Sequence, residues 1–105
     1  MNIEWATGIF EGEGYIKTDK RLESSFNLKV KMSDLDIIQR FQNVFQVGSI
    51  TVDTVPKKPH HRQLYSWTVC NRKDIAFVLS LMLPLLGNRR AHDAMTVLDN
   101  LELPR

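Results

Sequence analysis

The sequence predicts an α+β fold in which four strands, arranged as two hairpins, alternate with helices in the order αββαββαα. Three observations carry this expectation. Two pairs of segments alternate apolar and polar residues, apolar residues recur at helical spacing before, between and after those pairs, and turn-forming residues sit at the junctions. The chain has 105 residues, 43% of them hydrophobic and 25% charged, which suits a single domain, residues 1–105, with one modest core.

The run Trp5-Ala6-Thr7-Gly8-Ile9-Phe10-Glu11-Gly12-Glu13-Gly14 reads as an apolar helical stretch that ends in two carboxylates interleaved with glycines. Residues three and four apart share a helix face, so Trp5, Gly8 and Ile9 form one seam. Gly8 inside a helix costs about 1 kcal/mol relative to Ala, which implies a close approach of another backbone, most naturally a second helix. Gly12 and Gly14 let the chain leave the helix where a Cβ would be penalised. Glu11 and Glu13 remain at a helix C-terminus, where the macrodipole disfavours negative charge by roughly 0.3–1 kcal/mol. A divalent cation would supply the missing positive charge.

The strands follow from strict alternation. Tyr15 to Arg21 carries Lys17, Asp19 and Arg21 on one phase and pairs across a polar turn with Ser25 to Met32. In that second strand Phe26, Leu28, Val30 and Met32 point inward, and Ser25, Asn27, Lys29 and Lys31 point outward. Gly48 to Val55 repeats the pattern, with Ile50 and Val52 inward and Thr51 and Asp53 outward. A basic connector containing Lys57 and Lys58 between two prolines leads to a fourth strand, Arg62 to Cys70. There Tyr65, Trp67 and Val69 face inward, and Leu64, Ser66 and Thr68 face outward. Cations with short hydrogen-bonding side chains on one sheet face suit phosphates and base edges, as in proteins that read DNA with a β-ribbon; a solvated face is the plain alternative.

Helices fill the remaining segments. Ser33-Asp34-Leu35-Asp36 has capping-box spacing, with Ser33 as the better cap, and opens a helix carrying Leu35, Ile38, Phe41 and Phe45 that ends before Gly48. Asp74 to Leu83 is the third helix and stops near Pro84. Asn88 to Leu101 is the fourth.

The run Gly8-Ile9-Phe10-Glu11-Gly12-Glu13-Gly14 resembles the signature of the LAGLIDADG homing endonucleases in their single-motif form. Ala6 and Thr7 depart from the usual Leu-Ala, and Thr7 adds bulk where the family packs two motif helices together. The resemblance extends over nearly the whole chain. It implies an αββαββα-type homing-endonuclease fold, with a four-stranded curved antiparallel sheet that reads DNA and helices packed on it. It further implies that Glu13 is the catalytic acid and the metal ligand, and that Glu11 is structural. Asp34 falls where the family often has a polar residue ordering water around the metal, with capping as the rival account. Arg89 and Arg90 fall where the family has a Lys or Arg approaching the scissile phosphate, with a basic start to a surface helix as the rival.

Read through that resemblance, the chain is expected to be a homing endonuclease of a mobile genetic element that hydrolyses both strands of double-stranded DNA. Mg2+ is the expected cofactor, since magnesium suits all-oxygen ligation. One motif supplies one main acid, so cutting both strands calls for a homodimer whose interface is Trp5, Gly8, Ile9 and Gly12, acting on a near-palindromic site. The DNA-contacting residues would be Lys17, Asp19, Arg21, Ser25, Asn27, Lys29, Lys31, Thr51, Asp53, Lys57, Lys58, Arg62, Leu64, Ser66 and Thr68. A non-cleaving DNA- or RNA-binding protein, a maturase or a regulator, is the alternative on the same scaffold. A structural or small-molecule-binding α+β domain is a second rival.

Other chemistries find little support. Cys70 is the one cysteine and reads as a packed small apolar residue; it has no partner at ligand spacing. His60, His61 and His92 lack the spacing of a zinc or histidine nuclease site. No signal-peptide pattern and no apolar run near 20 residues occurs, so membrane partners are not expected and a cytoplasmic setting, in a bacterial, phage or organellar host, is. The net charge of +2 and pI near 8.9 are only weakly basic, so the distribution of charge carries more than its total.

Overall fold

Asn2 starts the first helix by accepting the Trp5 N–H on its side-chain oxygen at 3.1 Å, an N-cap that satisfies one of the free donors of the first turn. The computed structural model describes residues 2–17, 26–54 and 62–101. In it α1 spans Ile3–Glu13 and buries Ala6, Thr7 and Phe10. The Thr7 hydroxyl donates to the Ile3 carbonyl at 2.8 Å and the side chain is 2% exposed, so its bulk enters the protomer's own core and not an outward helix face. Gly14 ends the helix in extended backbone (φ −81°, ψ 159°), its N–H bonded to the Phe10 carbonyl. A glycine is needed there because a Cβ would overlap the Phe10 ring, not because the chain turns left-handed.

The sheet contains β1 (Gly14–Ile16), β2 (Leu28–Met32), β3 (Ser49–Thr54) and β4 (Leu64–Val69), with α2 (Leu35–Phe45) between the two hairpins. All neighbours are antiparallel and the order is β1-β2-β4-β3, so the hairpins meet along β2 and β4 at the centre. Gly14, Val30, Trp67 and Ile50 lie in one row across the four strands. Within the described residues β2 begins at Leu28 and β4 covers only Leu64–Val69, inside the expected Ser25–Met32 and Arg62–Cys70. Lys17 continues the first ladder through an N–H bond to the Asn27 carbonyl at 2.9 Å, but residues 18–25 lie outside the described part. Cys70 falls just past β4 and is exposed, not packed, because the strand ends at Val69.

After β4 come α3 (Arg72–Met82), a single 3-10 turn at Leu83–Leu85, and α4 (Asn88–Asn100). Asn71 caps α3 by accepting from the Lys73 and Asp74 N–H groups at 2.8 and 3.3 Å, which starts that helix two residues before Asp74. At α2 the N-cap is Asp34, not Ser33, and its side chain makes no capping bond. The helices cover the inner sheet face, where Leu28, Val30, Trp67 and Val69 are buried with Ile38, Phe41, Phe45, Ile75, Leu79 and Met82. Among the described residues no helix is long and apolar enough to cross a membrane.

Trp67 holds α2 to the sheet. Its ring lies 5.2 Å from Phe41 and 5.4 Å from Phe45, and its Nε1 donates to the Val47 carbonyl at 3.0 Å, so the one polar atom of the buried indole is satisfied. Gly48 passes beneath it with φ +92°, where a Cβ would sit 2.6 Å from Nε1. Gly48→Ala therefore combines left-handed strain with steric overlap. It should lower stability by about 2–4 kcal/mol, seen as a shifted midpoint in urea with an unchanged slope.

Candidate functional site

Alternation along paired strands gathers one polar surface on the sheet face opposite the core. Tyr15, Lys29, Thr68 and Ser49 form one cross-strand row, and Lys31, Ser66 and Thr51 form the next in the direction of α1's C-terminal end. Lys17 and Asn27 extend the face beyond the first row. Among its described side chains are three lysines and no carboxylate. Ser66 is fully buried at the centre, while Lys31 and Thr51 beside it are exposed. Leu64 lies half-buried on the same phase, and Arg62 is exposed just before β4.

The sequence-based set is thus brought together in part. Lys17, Asn27, Lys29, Lys31, Thr51, Leu64, Ser66 and Thr68 share this face; Asp19, Arg21, Ser25, Lys57 and Lys58 lie outside the described residues, as does the side chain of Asp53. Tyr15 and Ser49 were not among the expected contacts. Each sits two positions from one that was, on the same alternation phase, so the signal was present. Tyr15 is 56% exposed, an aromatic ring standing opposite Lys29.

The helix C-terminus meets this sheet at its edge. Glu13 is the last helical residue and Gly14 the first of β1, with no loop between them. Glu13 is exposed, and among the described residues none holds its carboxylate. Asp34, two residues past the end of β2 that lies toward α1's C-terminus, is also exposed. Among the described residues no three His, Cys, Asp or Glu side chains come together as a metal cluster.

Glu11 has a different task. Its carboxylate accepts the backbone N–H of Gly87, the N-cap residue of α4, which has no side chain to cap its own helix. A carboxylate at a helix N-terminus satisfies a free donor and opposes the dipole's positive end. In return Arg90 of α4 directs Nη2 at the Glu11 carbonyl, at a long 3.5 Å, and lays its guanidinium 5.8 Å from the centre of the Phe10 ring. Arg90 is half-buried in these contacts, whereas Arg89 is exposed. The two arginines, adjacent in sequence, are therefore separated by structure. Nothing local in the chain signals a contact across 76 residues.

The outward face of α1 carries Gly8 and Gly12, both exposed, and a Cβ on either would meet nothing within 4 Å. Ile9 is half-buried beside them. Trp5 is also half-buried, but its ring packs against Phe41 of α2 at 5.4 Å and is covered by the Arg40 guanidinium at 4.2 Å. Much of its apolar surface is thus occupied within the protomer. Of Trp5, Gly8, Ile9 and Gly12, the residues expected to form the interface, the two glycines are exposed and Trp5 packs within its own chain.

An α1 that runs straight into the edge of a four-stranded antiparallel sheet, with two ββ units and trailing helices, is the fold of the LAGLIDADG homing endonucleases. No family model and no curated protein sequence matches the chain. Among solved structures it is similar to the homing endonuclease I-CvuI, solved in complex with the I-CreI target in the presence of 2 mM Mg, revealing DNA not cleaved; the TM-score is 0.68 at 18% identity, over 98% of this chain and 68% of that one. It is similar also to the LAGLIDADG meganuclease I-CpaMI bound to uncleaved DNA, with a TM-score of 0.71 at 14% identity, over 97% of this chain and 36% of that one. The archaeal intron-encoded homing endonuclease I-Vdi141I, complexed with DNA, gives 0.67 at 12% identity, over 93% and 65% of the two chains.

The Glu11 contact yields a direct test. Glu11→Ala should destabilise the protein by about 1–2 kcal/mol by leaving Gly87 uncapped. Glu11→Gln keeps an acceptor and should lose less than half of that in thermal unfolding.

Proposed function

We propose that this chain is a site-specific, metal-dependent double-strand DNA endonuclease that acts as a homodimer on a near-palindromic site. The observation that carries this reading is the exposed Glu13 carboxylate at the junction of α1 with the edge of a lysine-bearing sheet face. A sheet face rich in Lys, Ser and Thr suits the phosphates and base edges of a duplex, and it supports an acid beside it acting on the backbone of the same duplex.

The residues present fit a hard divalent cation. Glu13 offers anionic oxygen at a helix C-terminus, where the dipole favours positive charge, and oxygen ligation is what magnesium takes. When bound, the metal would supply Lewis-acid polarisation of the scissile phosphate and lower the pKa of water. The chain's own residues divide the remaining work. Glu13 holds the cation, Arg89 donates to a non-bridging phosphate oxygen, and Asp34 accepts hydrogen bonds from water near the scissile bond. The lysines of the outer face neutralise phosphates and fix the register of the duplex.

The homodimer is supported by the two glycines of α1. Each costs about 1 kcal/mol in a helix relative to Ala, and among the described residues nothing approaches either closely enough to need a glycine. A second copy crossing at Gly8 and Gly12 would use that space. It would also bring two Glu13 carboxylates to one two-fold axis, one for each strand. Gly8→Leu should therefore convert a dimer to a monomer in sedimentation velocity, while a chain already monomeric would show no change.

Purified protein incubated with a randomised duplex library in magnesium should generate ends at a near-palindromic sequence, and none in EDTA. Glu13→Gln should reduce cleavage by at least about 100-fold while metal-free binding of the enriched duplex survives. Lys29→Ala should flatten the log–log salt dependence of binding by about 1. Enrichment by binding without ends would make the protein a non-cleaving binder, and equal loss of binding in Glu13→Gln would make Glu13 structural.

A further inference from the structure

The contact between α1 and α4 is reciprocal, and one of its two halves has no role in the chemistry proposed above. Glu11 caps the start of α4 with its carboxylate, and Arg90 caps the end of α1 through the Glu11 carbonyl. The last carbonyls of a helix lack intrahelical partners, and a cation there is favoured by the dipole. Arg90 supplies both a donor and a charge. Its guanidinium also covers the Phe10 ring, the ring that in turn occupies the space a Cβ on Gly14 would take.

Arg90 is not arranged as a phosphate contact. Its Nε is buried and has no hydrogen-bond partner among the described residues, so that edge of the fork faces protein and not solution. An arginine that extends to a phosphate keeps its fork open for bidentate contact. Arg89, one residue earlier and exposed, has that freedom.

We propose that Arg90 is a positioning residue: it locks the last turn of α1 to the first turn of α4 and thereby sets the separation between Glu13 and Arg89. Glu13 lies two positions beyond Glu11 in α1, and Arg89 adjoins Arg90 in α4, so each end of the clasp sits within one turn of a group assigned to the reaction. The catalytic consequence rests on the endonuclease reading; the clasp itself does not.

The test uses the full chain and two variants. Arg90→Met keeps an unbranched stem over Phe10 and removes the donor, so the core stays filled; Arg90→Lys restores a cation able to reach the carbonyl. Amide hydrogen exchange of the free protein is the readout that needs no activity. In Arg90→Met, protection at Gly14 and Gly87 should fall by about 10-fold or more, as expected for loss of a charged hydrogen bond, while the sheet amides of β2 and β4 keep theirs. Arg90→Lys should recover part of it. On a cleaved duplex, Arg90→Met should lower kcat by about 10-fold or more with KM and the salt slope of DNA binding unchanged.

Unchanged exchange at Gly14 and Gly87 would overturn the proposal. So would a salt slope reduced by about 1, which would make Arg90 a phosphate contact, and so would a loss of protection spread evenly over the sheet, which would make it a general stability residue. If the unaltered protein cut no duplex, the endonuclease reading would fail by that result alone, and the exchange data would still decide the clasp.

Discussion

Everything about the candidate site depends on the direct passage of α1 into β1. Glu13 is helical and Gly14 is already paired with Val30, so no loop residue can relax the position of the acid relative to the sheet. Such a junction requires the chain to change from helical to extended backbone in one step, over a buried Phe10 ring that leaves no room for a side chain at the next turn. Glycine at position 14 meets that requirement by lacking a Cβ, although its φ of −81° is open to any residue. The spacing Glu-Gly-Glu-Gly thereby acquires distinct meanings at each letter. Glu11 turns to α4, Gly12 to the open face, Glu13 to solvent at the sheet edge, and Gly14 to the Phe10 ring.

The aromatic cluster around Trp67 provides the rigidity behind that junction. Row partners Gly14, Val30, Trp67 and Ile50 connect the edge strand to the most buried indole of the core. Phe41 touches Trp67 on one side and Trp5 on the other, so the first turn of α1, the middle of α2 and the centre of β4 belong to one packed unit. α1 is therefore held near its N-terminus by rings and at its C-terminus by the Glu11–Arg90 clasp. A helix fixed at both ends can present a row of glycines outward without loss of its own geometry.

Much of this was legible in the sequence, and the boundary between legible and hidden is physical. Period-two alternation located all four strands and assigned Lys29, Lys31, Ser66, Thr68 and Thr51 to one face, because register pairs residues of like phase. It overextended β4 at both ends, since alternation does not say where a partner strand ends. Helix starts were partly misplaced: the N-cap of α2 is Asp34 where spacing favoured Ser33, and α3 begins at Arg72 behind its cap Asn71 and not at Asp74. Trp5 was placed on one helix face with Gly8 and Ile9, and its ring reaches round to Phe41, while Thr7 is buried with its hydroxyl returned to the Ile3 carbonyl. A helical wheel places Cα atoms, not the far ends of large side chains. The distinction between Arg89 and Arg90 lay wholly in tertiary contacts and had no local signal.

That distinction bears on the electrostatics of the α4 start. Two adjacent arginines in a first turn face the positive end of the helix dipole, each at a cost of roughly 0.3–1 kcal/mol when exposed. The Glu11 carboxylate at Gly87 offsets part of this for the turn as a whole, and Arg90 escapes most of the rest by reaching back to the negative end of α1. The two helix ends thus neutralise each other through one residue from each side. Arg89 stays exposed in the first turn of α4, where the dipole disfavours it, and among the described residues it has no such outlet. A phosphate arriving beside Glu13 would relieve that repulsion, so the placement least favourable to the free protein is the one most favourable to an anionic ligand.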